Sequence, residues 1–315
     1  MSEDFIVSLL AAAITMGTPL LYAALGEVIC ERSGVINLGV EGMMLIGACT
    51  GFIAGNSFGS PWAGVAAAVA AGALLALIHA FLTVTLRANQ VVSGLAVTLF
   101  GTGLSGYLGQ DYVGQPAGAV FGKIAVPLLS DIPIIGSILF KQDALVYISY
   151  FLVPLAAWYF YKTRSGLFLR AMGENPAAVD AAGINVFGLR YLYIVVGGAL
   201  AGVAGAYLSL AYAPSWLENM TAGRGWIAVA LVIFALWDPW RAMAGSYLFG
   251  GIDALGFNLQ VLGVPVSGFI LNMLPYIFTV LVLVLVLKRR GGRSASPQAP
   301  VSYTHLRAHE TRSNL

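Results

Sequence analysis

The chain has 315 residues, 59% of them hydrophobic before its 38 glycines are counted, and only 10% charged, against about 25% charged in an ordinary soluble domain. That excludes a soluble globular protein, and a net charge of +2 informs only through where the charges lie. At about 20 apolar residues per crossing the length allows about eight to ten membrane helices, so the fold class is all-α and polytopic.

Apolar runs centred on residues 5–25, 35–55, 62–86, 91–109, 144–161, 191–212, 225–237, 243–262 and 268–287 predict nine spans, the second broken by glycines and the seventh short. The connection 162–190 carries Lys162, Arg164, Arg170 and Arg190, and Lys288, Arg289 and Arg290 follow the last run. Both are therefore placed in the cytoplasm, since basic residues mark that side. Counting back puts Arg87 inside, and Glu3, Asp4 and the connection 110–143 outside. A re-entrant pair within 26–60, or an extra helix in the outer connection, would move the amino terminus to the other side. Residues 1–290 make the transmembrane domain and 291–315 a disordered tail, whose last fifteen residues read as a non-native end.

Hydrolytic chemistry has little to work with. Before the tail the only histidine is His79, inside an alanine-rich run. No zinc-protease or serine-elbow motif occurs, and no carboxylate pair stands at helical spacing within any predicted span. GAVFGKI at 118–124 fails as a phosphate loop, because its glycines are too close and Ile124 replaces the magnesium-binding hydroxyl. No metal or other cofactor is expected on this chain, and Cys30 and Cys49 read as packing residues. Glu41 and Asp253 are the acidic residues inside predicted spans, and neither has a basic neighbour one turn away, so ion coupling has thin support.

Residues 26–44, GEVICERSGVINLGVEGMM, set Glu27, Glu31 and Arg32 at a membrane edge and space Gly34, Gly39 and Gly42 through the second span. Such spacing permits close packing or a break. Asn37 and Glu41, four apart, would share a helical face. Two readings stand: a packed helix with one hydrogen-bonded Asn, or a polar stripe along a permeation path.

The connection 173–186, GENPAAVDAAGINV, predicts a short capped helix. Asn175 suits the N-cap, Pro176 the first helical position and Gly183 the residue past the end, giving about two turns over 176–182. Ala177, Ala178, Ala181 and Ala182 give it a small-sided face that could enter a groove on another protein. Just past the seventh run, Asp238-Pro239 marks a stop. Trp216, Trp226, Trp237 and Trp240 suit interfacial belts, and Trp226 is also the best placed to stack on a planar solute.

These residues resemble a known family. ERSGVINLGVEGMMLIGA at 31–48, GENPAAVDAAGINV at 173–186 and TAGRGWIAVALVIFALWDPWRA at 221–242 are similar, in order and spacing, to motifs of the permease subunits of ATP-binding-cassette importers of the ribose, branched-chain amino acid and nucleoside group, nucleoside permeases most of all. The resemblance runs from about residue 10 to residue 288. It implies a multi-pass permease of the bacterial inner membrane, working by alternating access. ATP would be hydrolysed on a separate ATPase subunit. A second permease, a substrate-binding lipoprotein and membrane lipid are the other implied partners, with no nucleic acid. Gly173, Glu174, Asn175, Pro176, Ala178, Ala181, Gly183 and Ile184 would couple to the ATPase, while Asn37, Glu41 and Trp226 are the candidate path residues. Ribose-type sugars are the alternative cargo, and a gradient-driven carrier the alternative class, one with no reason to keep a capped loop helix.

Overall fold

The computed structural model describes residues 3–261 and isolated helical residues between 273 and 284. Apart from those positions, the expected ninth span and the tail lie outside the described residues. Helices α1 (Glu3–Arg32), α2 (Val40–Phe58), α3 (Pro61–Ala80), α4 (Gln90–Gly109), α5 (Ile135–Leu139), α6 (Ala144–Lys162), α7 (Arg164–Glu174), α8 (Pro176–Ala181), α9 (Val186–Tyr207), α10 (Arg224–Ala235) and α11 (Pro239–Val261) follow one another. The only strands among the described residues are an antiparallel pair, Ile124–Ala125 with Lys141–Gln142.

Five segments of the described chain are long and apolar enough to cross a membrane: Phe5–Arg32, Pro61–Thr85, Gln90–Tyr112, Ala144–Lys162 and Val186–Tyr212. Helices α2 and α11 have the length, but Glu41 and Asn56 in one, and Arg241, Asp253, Asn258 and Gln260 in the other, lower their hydropathy. With 12 residues, α10 rises only about 18 Å, short of a hydrocarbon core about 30 Å thick.

The chain alternates between two ends as the charges predict. At one end Arg190 Nε donates to the Ser33 carbonyl at 3.3 Å, and Arg32 Nη2 to that of Trp237 at 3.2 Å. The Thr85 and Tyr191 hydroxyls also meet there. At the other end Thr15 Oγ1 donates to Gln142 Oε1 at 3.1 Å, Gly118 N to Asn56 Oδ1 at 2.7 Å and Gly114 N to the Trp216 carbonyl at 2.9 Å. The basic residues of the connection 162–190 lie at the first of these ends.

Helix α9 sits at the centre: 72% of its apolar window is buried, against 33–44% for the other four crossings. Glycine makes that possible. A Cβ on Gly47 of α2 would lie 2.5 Å from the Gly202 carbonyl of α9, so the two backbones are in contact. Lipid offers no hydrophobic drive for helix association, and close van der Waals contact between small residues supplies it instead. Cys30 and Cys49 are buried and free, as packing residues should be.

Candidate functional site

The second span is broken. Helix α1 runs to Arg32 and stops at Gly34, whose φ of 85° only glycine adopts without strain. Residues 35–39 are not helical, and α2 begins at Val40. Asn37 makes this link: its N–H donates to Glu27 Oε1 at 2.9 Å and its Oδ1 accepts from Gly39 N at 3.1 Å. The expected shared face of Asn37 and Glu41 is therefore corrected, because Asn37 precedes the helix and its polar atoms serve the turn.

Glu41 lies in the first turn of α2, and its carboxylate reaches the start of α10. Oε1 accepts from Thr221 Oγ1 at 2.6 Å and from Gly223 N at 2.9 Å, while Oε2 accepts from Gly225 N at 2.6 Å. Gly223 is the N-cap of α10, at φ 80°. The carboxylate thus caps a helix that begins inside the membrane, with the positive ends of both half-helices turned toward it. Sequence reading missed this contact because the partners stand 180 residues or more apart.

Nearer the basic end an acidic pair appears. Because α1 continues to Arg32, Glu27 and Glu31 stand one turn apart and both are buried. That corrects the expectation that no carboxylate pair occurs at helical spacing within a span. Glu31 Oε2 accepts from Trp237 Nε1 at 2.5 Å, which ties the end of α1 to the end of α10. Trp237 and Trp216, near the two ends of the bundle, are buried within the protein. Trp226 is half-buried in the first turn of α10, beside Gly223. His79 is buried and satisfied on both ring nitrogens, by Ser93 Oγ at 3.0 Å and the Ile36 carbonyl at 3.1 Å.

Asp253, without a basic neighbour on its own helix, finds one across the bundle: Arg224 Nη2 stands 3.8 Å from its Oδ2. The Arg224 guanidinium also lies 5.5 Å over the Tyr212 ring. Among the described residues no group of three His, Cys, Asp or Glu could hold a metal ion.

The loop at the basic end holds two helices. In α7, Gly166, Leu169, Met172 and Gly173 are buried against the bundle. In α8, Asn175 Oδ1 accepts from Ala178 N at 3.1 Å, Pro176 opens the helix and Gly183 follows it at φ 79°. Its one buried residue is Val179. Ala178, Asp180 and Ala181 are exposed, as are the flanking Glu174, Asn175 and Gly183; Pro176 and Ile184 are half-buried. The helix is thus pinned by one side chain and turns a small-sided face outward.

Residues 9–287 match the family described as branched-chain amino acid transport system / permease component. The chain belongs to that permease family. Its relatives cover nearly the whole permease. The "Putative glucose ABC transporter permease protein TsgC13" of Haloferax volcanii is 41% identical over 94% of this chain and 97% of its own. The nucleoside ABC transporter permease protein NupC of Lactococcus lactis subsp. cremoris is 38% identical over 92% and 94%. The guanosine ABC transporter permease protein NupQ of Bacillus subtilis is 35% identical over 91% and 93%. No solved structure matches. The permease is a multi-pass membrane protein and a transport subunit, not an enzyme.

Proposed function

We propose that this permease is the membrane subunit of an importer that takes up nucleosides, driven by ATP hydrolysis on a separate ATPase subunit that docks on α8. The observation that carries the coupling is the capped helix at the basic end, whose one buried residue is Val179 and whose alanines are exposed. A helix of six residues is marginal in water unless something else holds it. Here the caps and α7 hold one face, and the other is left for a partner. Glu174, Asn175 and Ala178 lie on or beside that outer face; Gly173, Pro176, Ala181, Gly183 and Ile184 set its start and end.

The nucleoside reading draws on the relatives named as nucleoside and guanosine permeases, at 38% and 35% identity. The relative named for glucose, at 41% identity, supports simple sugar as the second reading. A substrate-binding protein would deliver the solute at the non-basic end, and a second permease would complete the path. The test is ATP-driven uptake into proteoliposomes holding the permease, its ATPase, its second permease and its binding protein. Guanosine and uridine accumulate, and glucose and ribose do not. Accumulation of the sugars alone would replace the nucleoside reading, and uptake that persists without ATP would end the coupling reading.

A further inference from the structure

We propose that Arg224 and Asp253 form a solute-contacting site inside the membrane for the vicinal hydroxyls carried by nucleosides and sugars, an inference that rests on the import function proposed above. Arg224 opens α10, eleven residues before Ala235, and Asp253 stands fourteen residues after Pro239. At 1.5 Å per residue both lie about 17–21 Å from the basic end. A charge at that depth is costly, and such residues line the path of a cargo far more often than they serve the scaffold alone.

The pair is also incomplete. A strong guanidinium–carboxylate pair is frequently two-pronged and closes below about 3 Å. These two meet through one atom each, at 3.8 Å, with 16% and 24% of their side chains exposed. Arg224 Nη1 reaches only the Thr221 carbonyl, at 3.3 Å, and Nε is buried with no partner among the described residues. At 3.8 Å the contact is an ion pair without a hydrogen bond, and no described residue donates one to the Asp253 carboxylate. Glu41 offers no such capacity, because both of its oxygens already hold Thr221, Gly223 and Gly225.

The capacity that the described residues leave unfilled suits a neutral polyhydroxylated solute. A carboxylate accepts both protons of a vicinal diol, as acidic residues do for ribose hydroxyls elsewhere. The guanidinium, whose face lies over the Tyr212 ring, donates to a ring or carbonyl oxygen. Because the ion pair is long, a diol can enter between its members without first breaking a strong contact.

The experiment uses the whole importer in proteoliposomes, with D253C on a chain whose own two cysteines are buried. A small water-soluble thiol reagent should modify D253C. Guanosine with the binding protein, at about ten times its dissociation constant for the D253C importer, should slow that modification about tenfold. Protection by ribose or glucose alone supports the diol site and overturns the nucleoside choice. No modification, or modification that no solute slows, overturns the site. A charge-swapped R224D/D253R permease guards against a D253C that fails to assemble. A merely structural pair would be restored by the swap, so uptake at the unaltered rate overturns the proposal. Normal assembly with uptake down about tenfold or more, the worth of a charge-assisted hydrogen bond, supports it. If the unaltered importer takes up none of these solutes, the import reading fails whatever the cysteine reports.

Discussion

Glu41 shows how one side chain makes a broken helix tolerable in a membrane. The first N–H groups of a helix have no partner within it, and lipid supplies none. Glu41 provides two acceptors for Gly223 and Gly225, together with one for the Thr221 hydroxyl. In E41Q the charge is lost and one oxygen becomes an amide that faces N–H donors. The permease should lose about 2–3 kcal/mol, the upper part of the range for hydrogen bonds to a charged group. T221A, which removes one of the three donors to that carboxylate, should lose about 1.5 kcal/mol, the low end of that range. Thermal unfolding of the purified protein in detergent would read both, and equal losses would refute the ranking. Asp143, the N-cap of α6, gives a pH dependence. Burial raises its carboxyl above the usual range, while hydrogen bonds from Val146 N, the Tyr207 hydroxyl and Leu145 N pull it back. The folded state thus holds this proton more tightly than the unfolded chain. Its contribution is complete below the unfolded carboxyl value and falls away as pH rises through the raised folded value. D143N keeps the cap and removes the slope, so its thermal midpoint should change less between pH 4 and pH 7 than that of the unaltered permease, at about the usual carboxyl range.

At the scale of the elements, α8 was legible because its signals are local. Asn175, Pro176 and Gly183 are read within nine residues, and the structure gives the helix Pro176–Ala181, one residue shorter than predicted. The break before α2 was legible through its glycines, although the face assigned to Asn37 was not: a helical period assumes a helix at the residue in question. The contacts of Glu41 with Thr221 and of Arg224 with Asp253 could not be read, since each joins segments that meet only through the fold. The Glu27 and Glu31 pair went unread for a different reason, because the end of α1 was set by hydropathy while its backbone continued for two more turns. The α8 face makes the prediction at this scale. A178W should leave the protein in the membrane, since Ala178 touches solvent and not the bundle. The same change should abolish ATP-dependent uptake by filling the small-sided face. N175A should cost about 1 kcal/mol through the lost cap and reduce uptake only in part. Uptake unchanged in A178W would remove α8 from the coupling path.

Across the whole molecule, two kinds of glycine have opposite roles. A side chain on Gly202 of α9 has the α3 backbone at Ala68 to displace, and one on Gly47 of α2 would meet the backbone of Gly202 itself. Gly103 and Gly106 on the outward face of α4 have no atom of the described chain within 4 Å of the place a methyl group would take. Their only structural cost is backbone freedom in a helix. G202A should therefore lose at least about 1–3 kcal/mol through overpacking, and G103A or G106A should gain about 0.5–1 kcal/mol from helix propensity. Thermal unfolding of the isolated permease measures all three. Uptake by the complete importer then separates lipid from protein on that face. An outer surface that meets only lipid accepts a methyl with no loss of transport. Two backbones held in contact there by the second permease would not, so G103A that unfolds later yet transports more slowly would place the partner permease on α4.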